Sequence, residues 1–218
     1  PKLPDARFTL GFVGAEFARK RLDLALDLLA AVRSQDPRYT LAIRTAQPWA
    51  NRYAWQDAAE REYVGWCQQR IERDPLLRGA VSFSDPGRDM ARWYRRVGHL
   101  VSTSDAEGSH ASVAEAMASG SVPVVRPWPG AAEVYDKQWV HDSTELAAAA
   151  VLATADADTW AQQSQQARDE IRRSHDPDAV VRAWADLLHG DVAAARAHFS
   201  HVCDLSRDVP AATPEGRS

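Results

Sequence analysis

The sequence predicts a doubly wound α/β domain, in which a parallel sheet carries helices on both faces, extended by a helical carboxyl end. Three observations lead there. Short apolar runs alternate with segments of helical period from Arg7 to Val125. Turn residues punctuate that alternation, as in Asp85-Pro86-Gly87 and at Gly120. Beyond Glu145 the strand-like runs stop. Repeated strand-helix units imply a parallel sheet, and the right-handedness of the crossovers puts helices on both of its faces.

The elements follow in order. Arg7 to Gly14 is an apolar, aromatic-containing run ending in Gly, and from Lys20 the spacing of Leu22, Leu24, Ala25, Leu28, Leu29 and Val32 predicts an amphipathic helix. Tyr39 to Arg44 reads as the second strand, Pro48 and Trp49 open a loop, and a charged helix is expected from Gln56 to Arg73. Ala80 to Ser84 is the third strand, with a helix over Asp89 to Val97 after the turn. Leu100 to Thr103 and Val122 to Val125 are strands flanking a helix over Ala111 to Ser119 that closes on Gly120 as its cap. Gln138 to His141 is expected to add an edge strand. Glu145 to Thr154, Asp158 to Arg173 and Asp178 to His189 read as helices, continued through Ala193 to His201. Residues 1–6 are read as a linker, 7–203 as the domain and 204–218 as a tail too poor in apolar residues to order itself.

Bulk properties narrow the function. The 26 basic and 30 acidic residues leave a net charge of -4, which argues against an electrostatic grip on nucleic acid. Arg92, Arg95 and Arg96 read as a solvated helix face. Cys67 and Cys203 lie far apart, with neither metal-ligand nor disulfide spacing, which suits a reducing cytoplasm. No apolar run approaches the roughly 20 residues of a membrane span, and the start of the chain has no signal-peptide pattern. The first residues look instead like the exit of an interdomain linker, which makes the chain a candidate fragment of a larger protein.

In a sheet of this kind ligands bind at the carboxyl ends of the strands. The loops after Gly14, Arg44, Phe83, Ser102 and Val125 are therefore the places to search. The loop after Ser102 is the informative one, a polar approach running into a helix start with Glu107 on the loop and Glu115 on the helix. Between them the amides near His110 to Val113 are expected to be unpaired and to offer an anion site strengthened by the helix dipole. A phosphate between two carboxylates that accept hydrogen bonds from hydroxyls suits a nucleotide sugar. Two Glu eight residues apart are usually no more than solvated charges, but the strand before, the small-residue helix after and the following Val122-Pro123-Val124-Val125 give this pair a setting.

The stretch Glu107 to Gly120 resembles the Glu-x7-Glu donor motif of retaining GT-B glycosyltransferases, family four in particular. Val122 to Val125 with Gly130 and Glu133 is similar to that family's next strand and loop, and Lys20-Arg21-Leu22-Asp23 resembles its diphosphate-binding lysine segment. The likeness runs from Phe8 to Leu188. It implies one half of a GT-B fold, a Rossmann-like domain that binds a nucleoside diphosphate sugar, a UDP- or GDP-sugar, with no further cofactor or metal required.

By that resemblance Glu107 bonds sugar hydroxyls beside the reacting carbon, Glu115 holds the ribose, and Lys20 neutralises the diphosphate, whose charge grows in the transition state. Gly108, Ser109, His110, Ala111, Ser112 and Val113 line the donor phosphates, Gly14 lies on the facing loop, and the nucleobase rests near Phe83 and Ser84. The implied activity is hexosyl transfer with retention, in glycan or polysaccharide biosynthesis. The leaving phosphate assists, and neither Glu is assigned as a nucleophile. The acceptor glycan or lipid-linked glycan would be met by an amino-terminal domain missing from this chain, whose absence leaves the chain inactive alone. The setting would be cytoplasmic or peripheral at the inner face of the membrane. A non-catalytic nucleotide-sugar-binding module is the alternative, and a sugar-nucleotide epimerase or phosphorylase a weaker third.

Three departures from the family stand out. Ala15 occupies the position of its usual Arg, five residues before the lysine, with Arg19, Arg21, Arg44 and Arg126 as candidate substitutes. Ser109-His110 stands where Phe-Gly is usual, and Arg44-Thr45-Ala46 where a glycine-rich turn is usual. Asp156-Ala157-Asp158 matches the short metal-diphosphate motif of the other large glycosyltransferase class, yet its place between helices favours capping. Among the tryptophans, Trp49, Trp55 and Trp128 lie on predicted loops as candidates for ligand contact, whereas Trp66, Trp93, Trp160 and Trp184 read as core or groove packing.

Overall fold

The computed structural model describes residues 1–50 and 56–198. Its contacts divide the chain into two units, Pro1–Ile171 and Arg172–Ser218. The first unit holds one five-stranded sheet built from β1 (Thr9–Val13), β2 (Thr40–Arg44), β3 (Val81–Ser84), β4 (His99–Ser102) and β5 (Val122–Val125). Every pairing is parallel, in the order β3-β2-β1-β4-β5. The chain thus winds outward from β1 to β3, returns, and winds the other way through β4 and β5. The reversal makes β1 and β4 neighbours whose following loops diverge, and such a switch point opens a crevice at the carboxyl edge.

The helices of the unit are α1 (Leu22–Arg33), α2 (Ala58–Arg73), α3 (Met90–Tyr94), α4 (Ala111–Ala118), α5 (Ala131–Val134), α6 (Thr144–Ala153) and α7 (Ala157–Ser174), whose last turn passes the unit boundary. One face of the sheet packs Leu10, Phe12, Leu41, Ile43, Val101 and Val124 against Leu22, Leu26 and Leu29 of α1 and Ala147 and Val151 of α6. The other packs Leu100, Val122 and Val125 against Trp93 of α3, Val113 and Met117 of α4 and Ala167 of α7. Successive side chains of each strand point to opposite faces, and both faces are apolar because both are covered. The second unit contains α8 (Pro177–Leu188) and α9 (Val192–Ala197), capped by Asp176 and Asp191 side chains.

Some expected elements differ. The helix expected over Asp89 to Val97 ends at Tyr94, because the chain must turn tightly into β4. Val97 N donates to the Tyr94 carbonyl at 3.1 Å, and a Cβ on Gly98 would collide with the backbone of Ala6. Gln138 to His141 forms no strand. Lys137–Trp139 is a 3-10 turn started by the Asp136 side chain, and a single bridge joins Val125 and Val140. Trp66 and Trp184, expected as packing residues, are 50% and 59% exposed, while Trp93 is buried and Trp160 packs against the second core. The short α5 escaped the sequence reading. Asp156 does cap: its Oδ1 accepts from the Thr159 amide at 2.9 Å and the Thr159 hydroxyl at 2.8 Å. Trp55, Cys203, the extension to His201 and the tail 204–218 lie outside the described residues.

Half-buried Lys2 and buried His99 tie the sheet to its surroundings. Lys2 Nζ donates to the carbonyls of Tyr94 (2.7 Å) and Val97 (2.6 Å) and to the hydroxyls of Ser119 (2.9 Å) and Ser121 (2.7 Å). His99 is fully buried in β4, with Nε2 hydrogen-bonded to Thr154 Oγ1 at 2.7 Å. Burial holds the His99 imidazole down at about 3, so the ring is neutral at physiological pH.

Candidate functional site

The switch point brings two distant segments together. After β1, Gly14 takes a positive φ of 78°, and a 3-10 turn over Ala18–Lys20 carries Lys20 across the crevice. After β4, residues 103–110 approach it from the other side. The segments are stitched by Thr103 Oγ1, which reaches the carbonyls of Lys20 (3.1 Å) and Arg21 (2.8 Å), and by the Asp105 amide, which donates to the Arg19 carbonyl at 2.9 Å. A Cβ at Gly14 would make only ordinary contact with Lys20 Cε at 3.7 Å, so it is the positive φ of the turn that favours glycine there.

Lys20 Nζ donates to Glu107 Oε1 in an ion pair whose side chains are only 15% and 10% exposed. Ser104 Oγ donates to the same oxygen at 2.6 Å. Burial alone would raise the Glu107 carboxyl, but the hydrogen bonds from Lys20 and Ser104 outweigh it and hold it below the usual carboxylate range. Both donors converge on Oε1, so Oε2 keeps its capacity to accept from a ligand.

His110 ends the loop and starts α4 in the left-handed region, at φ 47°. Among the described residues only Arg21, at φ 54°, shares the left-handed region without being glycine, and it adjoins Lys20. This conformation costs a side-chain-bearing residue roughly 1 kcal/mol, which explains why Gly is usual at the position. The loop is held there by Tyr135, whose hydroxyl reaches the carbonyls of Ser109 (2.6 Å) and His110 (3.1 Å), and by a 2.6 Å hydrogen bond between Ser102 Oγ and His110 Nδ1. Burial lowers His110 to about 4, with the nearby Glu107 charge opposing and Lys20 and Arg19 adding to the shift. The ring is therefore neutral at pH 7, one nitrogen facing Ser102.

The helix start beyond it differs in one respect from the expectation. The Val113 amide is not free, because it donates to the His110 carbonyl at 2.8 Å, and the Val113 side chain lies in the core. Ala111 and Ser112 are the first residues of α4, where amides have no partner within the helix. Gly108 and Ser109 are exposed on the loop, and nothing lies within 4 Å of where a Gly108 Cβ would sit. Glu115, further along α4, is exposed and accepts from the Tyr94 hydroxyl at 2.8 Å, with the Ser112 carbonyl 3.2 Å from the same oxygen. Burial and this bond to Glu115 raise the Tyr94 phenol, so it stays a proton donor.

Of the four arginines weighed as replacements for the cation missing at the buried Ala15, three are neutralised. Arg21 pairs with Asp23 (2.8 Å) and Asp105 (3.0 Å), Arg126 with Asp105 (2.6 Å), and Arg44 with Asp89. Arg19 is exposed and has no carboxylate partner among the described residues. Phe83 and Ser84 end β3 two strands away, where Trp49 packs edge-on against Phe83 with ring centroids 5.0 Å apart. Trp128, expected on an exposed loop, is buried in the core beside Gly130 and cannot meet a ligand. Ser102, Ser104, Tyr94 and Tyr135 escaped the sequence reading. Only Ser104, three residues before Glu107 in a polar run, carried a local signal. No group of three His, Cys, Asp or Glu among the described residues is arranged to hold a metal ion.

The comparisons with known proteins bear on the family and the fold. A family model described as glycosyl transferases group 1 matches residues 7–167. No curated protein sequence matches the chain. Among solved structures, a mutant of S. aureus TarM in complex with Fondaparinux, alpha-GlcNAc-glycerol and UDP superposes with a TM-score of 0.68 at 18% identity, covering 86% of this chain and 36% of TarM. Anabaena HepE in complex with UDP gives 0.69 at 20% identity, covering 84% of this chain and 49% of HepE. The C-terminal domain of LpcC, a group 1 family glycosyl transferase from Francisella tularensis, gives 0.58 at 15%, covering 76% of this chain and 84% of that domain. These likenesses show a shared fold, and the chain spans about a third of TarM and half of HepE.

Proposed function

Because the chain belongs to the group 1 glycosyl transferases, with a GT-B glycosyltransferase domain, we propose that its switch-point crevice binds the donor of the transfer, a nucleoside diphosphate sugar. The observation that carries the reading is the buried Lys20–Glu107 pair facing the start of α4, with Glu115 on the same helix. Cation, helix dipole and two carboxylates in that order match a diphosphate flanked by a sugar and a ribose, each with hydroxyls to donate. The UDP bound by TarM and HepE supports the class of ligand.

In this reading Lys20 turns its remaining N–H groups to the diphosphate while its bond to Glu107 fixes both side chains. Glu107 Oε2 accepts from a sugar hydroxyl, and Glu115 accepts from the ribose. His110 is neutral, and with Nδ1 accepting from Ser102 its Nε2–H becomes a donor to phosphate beside the amides of Ala111 and Ser112. Arg19, exposed and without a carboxylate partner among the described residues, supplies the cation that Ala15 lacks. These donors stand in place before charge builds on the leaving oxygen, which is the condition for electrostatic catalysis. The protein's part is then to position donor and acceptor, with retention at the anomeric carbon and glycan synthesis as the setting. The acceptor would be met by a domain outside this chain, and the residues 7–203 by themselves form the donor-binding half.

Calorimetric titration with UDP, GDP and their hexose conjugates tests the reading. One nucleotide should bind the chain, and Glu115→Ala should weaken it by about 1.5–3 kcal/mol, the range for a lost charged hydrogen bond. Equal binding by the variant would remove Glu115 from the site. The second reading, a nucleotide-sugar-binding module without catalysis, is favoured by the buried Ala15. It predicts the same binding with no transfer when an acceptor-binding partner is supplied.

A further inference from the structure

Three loops at the carboxyl edge of the sheet are joined through one side chain. Asp105, on the loop after β4, accepts at Oδ1 from Arg21 Nη1 at 3.0 Å and from Arg126 Nη1 at 2.6 Å. Arg21 ends the loop after β1 and starts α1, and Arg126 directly follows β5. Arg21 is anchored in turn. Its Nε and Nη2 donate to the two oxygens of Asp23 at 3.0 and 2.8 Å, and Asp23 Oδ1 accepts from the hydroxyl of Tyr63 in α2 at 2.9 Å. Such a forked pair fixes the direction of the guanidinium as well as its charge. A chain of contacts thus runs from α2 through Asp105 to the end of β5.

The setting of Asp105 gives these contacts a purpose. Arg21 holds a left-handed backbone at φ 54°, a conformation kept by a residue with a side chain where that side chain has a use. A cavity of about 180 Å³ bordered by Arg21, Thr103 and Arg126 opens between the loops, so packing does not join them there. Burial alone would raise the Asp105 carboxyl, but hydrogen bonds from Arg126 and Arg21 hold it below the usual carboxylate range, and it is ionised at neutral pH. Asp105 is 49% exposed, and exposed ion pairs add little to the stability of a whole fold, so its effect is local. Lys20 immediately precedes Arg21, and Glu107 follows Asp105 by two residues. We infer that Asp105 is a positioning residue for the donor site: by holding Arg21 and Arg126 together it fixes the loops that carry Lys20 and Glu107, so that their ion pair stands in place before a ligand arrives. The inference rests on the donor-site reading above and adds to it a residue that acts through Lys20 and Glu107.

Titration of the chain, Asp105→Ala, Asp105→Glu and Glu115→Ala with UDP and GDP tests the role, with thermal melting on the same samples. By charge alone Asp105→Ala would favour an anionic ligand, since it removes a negative group and frees two guanidiniums. The positioning role predicts the opposite sign. The nucleotide that binds the chain should bind Asp105→Ala at least about fivefold more weakly, the cost of ordering loops that the parent holds ready. Melting should fall by no more than about 4 °C, the scale of exposed ion pairs in a domain of this size. Asp105→Glu keeps the carboxylate and should bind within about twofold of the parent. A smaller loss, equal or tighter binding by Asp105→Ala, a larger fall in melting, or an Asp105→Glu variant as weak as Asp105→Ala overturns the role, and leaves the donor site standing if Glu115→Ala still weakens binding. A folded chain that binds neither nucleotide overturns both.

Discussion

His110 shows at the scale of one residue how this site differs from a generic anion-binding turn. Its backbone occupies the left-handed region, where glycine is at ease and a histidine carries a cost of roughly 1 kcal/mol. Such strain is retained where the side chain has a use, and here the ring is hydrogen-bonded to Ser102 and faces the start of α4. In His110→Gly, relief of the strain and loss of the buried ring oppose each other, so stability should change by less than about 1 kcal/mol while nucleotide affinity falls by about tenfold. Thermal melting and titration on the same samples check the pair of outcomes. A variant that melts as the parent and binds as the parent would make the ring a spectator.

At the scale of elements, the sheet depends on α1. Leu26 is fully buried between α1 and the strands, so Leu26→Ala should cost about 2–5 kcal/mol, read from the denaturant midpoint, without altering nucleotide affinity in the fraction that stays folded. The identity of these elements was legible in the sequence because each strand is a short apolar run and each long helix has a 3.6-residue period. Val122–Val125 was read to the residue. The failures have physical causes. The order of the strands depends on which edge a crossover returns to, and local periodicity carries no trace of that choice. Residues 137–140 look like a strand by composition, yet the Asp136 side chain starts a turn there that competes with pairing. Glu107, Lys20 and Glu115 were singled out in the sequence through a resemblance, and the fold pairs the first two and sets the third on α4. Tyr94, which bonds Glu115, and Ser102 and Tyr135, which hold His110, were not, because each contact joins residues that only the folded sheet brings together.

At the scale of the whole molecule, neutral buried histidines set the response to acid. Burial lowers His99 to about 3 and His110 to about 4, and it lowers His141 as well. A group whose folded-state pKa is depressed contributes stability that is complete above its unfolded value, about 6.5 for histidine, and is lost as the pH falls toward the folded value. Stability should therefore drop between pH 6.5 and 4.5, before most carboxylates titrate. His99 alone contributes about 2 kcal/mol of that loss, and His99→Gln should flatten the curve by that amount in urea melts across the window. An unchanged slope would mean that the ring is not held neutral in the native state.

The central claim is that a nucleoside diphosphate lies at the switch point between β1 and β4, and amide chemical-shift mapping by NMR tests it most directly. Adding the nucleotide that binds should move the amides of Gly14, Lys20, Gly108 to Ser112 and Glu115, while those near Arg7 and Arg38 at the opposite edge of the sheet stay in place. Shifts centred elsewhere, with residues 103–115 unmoved, would contradict it.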